Sequence, residues 1–278
     1  MLPDVYLHPE EEDAICKANL KKEFVWILSS SARGRFNNVL SSLRECSKKL
    51  HIGQKCDSRL GVSISQPQAE RHYLTGKHGG DTLKAYITLL GDNVIQAEVT
   101  IRNSKSSGPF RTVAQPDVQW KLQQLQDLGN FIARASRTLC EADKRLSELA
   151  NSQQLAFEHG ELVLSAARDA IADISAARNA IVLPRKKSLL ELSQFPPTRR
   201  FNPPLPQDQL LSFYISSCKL VCASYHMVPK QSAPQGMSMS ISLAECHLPY
   251  LDDVLQQLNS AATEIELLIG NMEMCQSR

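Results

Sequence analysis

Cys218 and Cys222 stand four residues apart, the spacing at which two side chains on one helix face can hold a metal ion. The chain has eight cysteines, at 16, 46, 56, 140, 218, 222, 246 and 275, but no C-x-x-C pair. No second close pair completes a tetrahedral set, so Cys218 and Cys222 read as small buried hydrophobes. "TGKHGGD" at Thr75–Asp81 has the glycines and lysine of a phosphate loop without its spacing or its following helix, and reads as a turn between strands. His226 and His247 each follow an apolar segment and need no chemical role. There is no nucleophile elbow, no H-E-x-x-H, no Walker loop and no G-x-G-x-x-G. The terminal "CQSR" lacks the aliphatic residues of a prenylation signal. No catalytic residue, metal ligand or cofactor site is expected.

Recognition is the remaining chemistry. "RKK" at Arg185–Lys187 and "TRRF" at Thr198–Phe201 concentrate positive charge in a proline-rich stretch. The plain reading is a solvated connection. The functional one is contact with an acidic partner through Arg199 and Arg200, with Phe201 as an apolar anchor beside Pro203 and Pro204. For the whole chain, 31 Lys+Arg against 29 Asp+Glu removes any global attraction to nucleic acid.

The elements that must carry these residues follow from periodicity. Glu11 to Leu50 is helical by pattern, with a weak point at "SSSARGRF", Ser29–Phe36. Leu60, Val62 and Ile64 alternate with small polar residues and suggest a strand. Leu83, Ala85, Ile87 and Leu89 face one way, as do Ile95, Ala97, Val99 and Ile101 after a turn at Gly91–Asn93, which makes a hairpin. A helix is expected from Val118 to Ala150 and another from Glu161 to Ile181, ended by Leu183–Pro184. Pro184 to Pro206 holds six of the fourteen prolines and reads as a crossing segment. Leu211, Tyr214, Cys218, Val221 and Tyr225 mark a further helix by spacing; Met237, Met239, Ile241 and Leu243 mark a strand. Pro249 begins a last helix that keeps its pattern to Met272.

The longest pattern raises a choice. Leu125, Ile132, Leu139 and Leu146 lie seven apart, with Leu128 and Leu149 in a second row, as in a leucine zipper. The flanking positions offer few pairable charges, while Leu122 and Phe131 widen the apolar stripe, which suits a helix surrounded by neighbours in its own chain. A basic-zipper reading fails because "NSKSSGPFRTVAQPD" before the repeat has two prolines and two basic residues. The expected fold is α+β. A long antiparallel four-helix bundle, from residues 1–52, 114–183 and 247–278, joins a smaller β-sheet domain from 53–113 and 184–246. Both are discontinuous in sequence.

"QWKLQQLQD" at Gln119–Asp127, "ARNAIVLP" at Ala177–Pro184, "RFNPPLPQDQLLSFYI" at Arg200–Ile215 and "ECHLPYLDD" at Glu245–Asp253 resemble the Rogdi family of leucine-zipper-containing proteins. The resemblance implies a helical bundle with a β-containing domain and no catalytic residues. It also implies a small subunit of a RAVE-like complex, whose partners are very large WD-repeat proteins of the DmX-like (rabconnectin) type. That complex promotes assembly of the V1 sector of the vacuolar-type proton-pumping ATPase with its membrane sector. The protein would then be cytoplasmic, a monomer within a hetero-complex, without nucleic acid and without membrane insertion. The acidic amino terminus has no signal pattern, and "FVWIL" at Phe24–Leu28 is far too short to span a bilayer. The rival expectations are a homodimeric zipper scaffold and a metal enzyme using Cys218 and Cys222.

Overall fold

The computed structural model describes residues 9–50, 68–78, 80–102, 108–116, 120–185, 191, 200–229 and 237–276. The strand expected at Leu60–Ile64 lies outside them. The chain divides into two compact units, Met1–Cys46 with Phe131–Ala176 and Gln256–Arg278, and Ser47–Asn130 with Ala177–Leu255.

The first unit is helical. α1 (Pro9–Trp26) passes through a π-helical turn (Ile27–Ser31) into α2 (Ala32–Leu50), so the serine-rich weak point widens the helix without ending it. α3 (Gln123–Asn151), α4 (Gly160–Val182) and α5 (Pro249–Gln276) give this unit their residues from Phe131, up to Ala176 and from Gln256 respectively. Phe24, Leu28, Phe36, Leu139, Ile174 and Ile265 are almost completely buried. Ion pairs rim this core: Arg33 Nε–Asp143 Oδ1 at 3.2 Å, Arg35 Nη1–Glu264 Oε2 at 3.1 Å, and Arg134 with Asp173.

The second unit is built on one nine-stranded, wholly antiparallel sheet. Its strands are β1 (Glu70–His78), β2 (Asp81–Leu90), β3 (Asn93–Arg102), β4 (Phe110–Ala114), β5 (Trp120–Lys121), β6 (Phe201–Asn202), β7 (Gln209–Ser216), β8 (Lys219–Pro229) and β9 (Met237–His247). The order is β6-β4-β3-β2-β1-β9-β8-β7, with β5 paired to β3. β6 and β7 end the path on opposite sides, yet Trp120 packs tilted against Phe201 of β6 at 5.4 Å and edge-on against Phe213 of β7 at 5.5 Å. The sheet therefore curls until its two ends share one indole. Gly76 explains the tight middle: a Cβ there would lie 1.6 Å from the Leu243 carbonyl oxygen.

Two expectations are corrected. The class is α+β, but a long four-helix bundle with a minor sheet is not the architecture; among the described residues four long helical segments accompany a large curled sheet. The helix expected over Leu211–Tyr225 is the β7–β8 hairpin, with Phe213 paired to Cys222. β7 is buried on both faces, so the period of two that betrays a half-buried strand is missing, and apolar residues three and four apart imitate a helix. The β2–β3 hairpin is present, with Gly91 at φ 61° in its turn. A register shift at Thr88/Leu89 moves burial from Ile95 to Val94.

Candidate functional site

Of the residues expected to meet a partner, Arg199 lies outside the described residues. Arg200 is exposed, and its carbonyl accepts a hydrogen bond from the Gln115 N–H at 3.0 Å. Pro203 and Pro204 are exposed, and the Pro203 carbonyl accepts the Thr112 hydroxyl at 2.6 Å. Phe201 is 2% exposed. Its expected role as a surface anchor is corrected: its ring is committed to Trp120 and closes the sheet. An aromatic between prolines looks like a loop residue until the strand that receives it, β4, is in place.

Cys218 and Cys222 do not share a helix face. Ser217 and Cys218, at φ 49° and 58°, are the two central residues of the β7–β8 turn, a conformation that matches strand twist at the expense of two left-handed non-glycine residues. Cys222 is completely buried in β8. Burial pushes the Cys222 thiol up to about 12; burial and then a hydrogen bond to Asp252 push Cys218 up to about 11. Asp252 also meets His247, Oδ2 to Nε2, at 2.7 Å. Cys, Asp and His are thus neighbours, but burial first and the carboxylate second hold the thiol protonated, the opposite of what a nucleophile needs. Among the described residues no group of three or more His, Cys, Asp or Glu is placed to hold a metal ion.

The polar group that sequence reasoning missed is Gln124, 6% exposed at the start of α3. Its Nε2 donates to the carbonyls of Ala180 at 2.9 Å, Leu183 at 3.0 Å and Ile215 at 2.7 Å, and its Oε1 accepts the Ile215 N–H at 2.8 Å. The amide imitates a neighbouring strand for β7 and caps the end of α4 in one step. The turn completes the cap, since the N–H groups of Ser217 and Cys218 donate to Val182 and Ile181 at 2.9 and 3.0 Å. The glutamine-rich "QWKLQQLQD" hinted at this, but only the fold distinguishes Gln124 from the neighbouring Gln123 and Gln126.

What remains open is the outward face of the sheet. Tyr73 of β1 and Tyr86 of β2 are paired in register, their rings 4.8 Å apart, and the Arg71 guanidinium lies 5.0 Å from the Tyr86 centroid. Beside them on β9, Met239, Ile241 and Leu243 are 40–45% exposed. On the opposite face Leu83, Ala85, Ile87 and Leu89 are buried. This is an assembled surface of aromatic, aliphatic and cationic side chains.

Fold and surface define an α+β chain with one helical unit and one curled antiparallel sheet. The Rogdi leucine zipper containing protein family matches residues 23–245. The chain is 46% identical over 275 residues to the Protein rogdi homolog of Caenorhabditis elegans, covering 97% of this chain and 94% of that one. It is 28% identical over 268 residues to Protein rogdi of Drosophila melanogaster, covering 96% and 87%. It is likewise 28% identical over 211 residues to the human Protein rogdi homolog, covering 76% and 68%. The chain belongs to the Rogdi family. These relatives' names are not those of enzymes.

Proposed function

We propose that this chain is a non-enzymatic adaptor subunit of a RAVE-like complex, which promotes assembly of the vacuolar-type proton-pumping ATPase. Its partners in this reading are large DmX-like (rabconnectin) WD-repeat proteins and the V1 sector. Recruitment to the membranes of acidifying organelles would come through those partners; among the described residues no helix is long and apolar enough to cross a membrane. The observation that carries the reading is family membership over nearly the whole chain, together with the resemblance in its motifs. The open sheet face supports a role in binding. The contribution of such a subunit is added contact area: several weak contacts made at once raise effective concentration without any chemical step. The zipper alternative loses its main support, because Leu125, Leu128, Ile132, Leu139 and Leu146 are at most 2% exposed within a single chain. Leu149 is half-buried.

Depletion of the protein from its own cells is the direct test. Pump subunits should remain at normal abundance, while the fraction of V1 recovered with the membrane sector falls. An unchanged assembled fraction would sink the proposal.

A further inference from the structure

We infer that the outward face of β2, β1 and β9 is the seat of an acidic amphipathic helix supplied by a partner protein. The inference rests on the adaptor reading only in requiring a protein partner, and it adds the place and the chemistry of contact.

Charge argues for the occupant's sign. Strand parity puts Arg71 and Lys77 of β1, Lys84 of β2 and Arg102 of β3 on the same face as Tyr73 and Tyr86. All four are exposed, and no carboxylate among the described residues pairs with them. Among the described residues of these strands the two carboxylates on that face are already matched: Glu98 by Arg111 at 2.7 Å and Glu245 by Lys219 at 2.9 Å. Four cations therefore stand uncompensated around an apolar centre of Tyr73, Tyr86, Ile241 and Leu243. The complement is a surface with apolar side chains in the middle and Asp or Glu along its flanks.

Geometry argues for a helix. β1, β2 and β9 lie inside the sheet, paired on both sides, so a partner cannot add a strand to them. It must dock through side chains. Three neighbouring strands present a width of about 10 Å, the diameter of one helix. A bilayer fits less well. The Tyr73 and Tyr86 rings pack against each other and the Arg71 guanidinium lies over Tyr86, so the aromatics are engaged with their neighbours on the sheet, not held singly as anchors for a headgroup layer.

Carbodiimide coupling tests this directly, because it joins an amine to a carboxylate only where the two already touch. The tagged full-length protein is purified gently with its partners and cross-linked, and the linked peptides are sequenced. Lys77 or Lys84 should be joined to Asp or Glu within a partner segment that carries apolar residues three and four apart. The exposed double variant Lys77→Glu/Lys84→Glu should keep the wild-type melting curve and recover about tenfold less of that partner. Lys77→Arg/Lys84→Arg should retain the partner and lose the cross-links. Wild-type recovery by the charge-reversed variant, with neither lysine cross-linked, overturns the inference. So does flotation on phosphatidylcholine–phosphatidylserine vesicles that needs Lys77 and Lys84, which would make the occupant a lipid surface. Cross-links to a partner unrelated to the proton pump would instead sink the adaptor reading and leave the docking face standing. Loss of pump assembly on depletion, with the charge-reversed variant fully active, would do the reverse.

Discussion

At the residue scale, one amide and one imidazole have the most specific consequences. Gln124 reaches three carbonyls with two Nε2 hydrogens, so one bond is shared, and its removal strands the Ile215 N–H as well. Gln124→Leu keeps the volume but leaves buried polar groups without partners, and should cost about 3 kcal/mol in urea unfolding. Gln124→Glu should fall in the same direction, since a carboxylate cannot donate to carbonyls. His72 of β1 has a buried Nε2 without a hydrogen bond, 3.5 Å from Glu70 Oε2. Burial lowers its pKa below the ordinary 6.5, outweighing the upward pull of Glu70. The unfolded chain then takes up the proton first as pH falls. His72 therefore contributes stability that is present above pH 6.5 and lost as pH drops through the lowered folded value. Unfolding followed between pH 7 and 5 should show that loss, and His72→Gln should flatten it. A steeper loss in the variant would refute the assignment.

At the scale of elements, α3 decides between a helix that joins two chains and one that packs within its own. Leu139 is fully buried. Leu139→Ala should cost about 2–5 kcal/mol, and Leu139→Asp should abolish cooperative unfolding. A zipper would respond differently, giving a folded monomer with Asp at 139. Here the repeat is legible in the sequence, and so is its burial within one chain, because the apolar stripe is wider than a two-stranded contact requires; the long four-helix bundle inferred from it is not what forms. The β7–β8 hairpin was not legible. A strand alternates visibly only when one of its faces meets water, and β7 has both covered. Its turn hides as well, since Ser217 and Cys218 adopt the positive φ that glycine or asparagine would have advertised.

For the whole molecule, the heptad seam of α3 is buried within a single chain, so it is not free to join two copies. Light scattering on the purified chain should return a mass near 30.9 kDa. Twice that value would reopen the homodimeric scaffold. The sequence by itself determined the α+β class, the long helices, the β2–β3 hairpin and the lack of any motif for catalysis, because each is a local pattern of spacing or composition. Tertiary structure alone decided the size of the sheet, the withdrawal of Phe201 from the surface, the role of Gln124 and the gathering of Arg71, Lys77 and Lys84 around two tyrosines. Those depend on which strands become neighbours. Strand pairing joins residues more than a hundred positions apart, as with Thr75 and Glu245, and nothing in the local spacing of either segment encodes its partner.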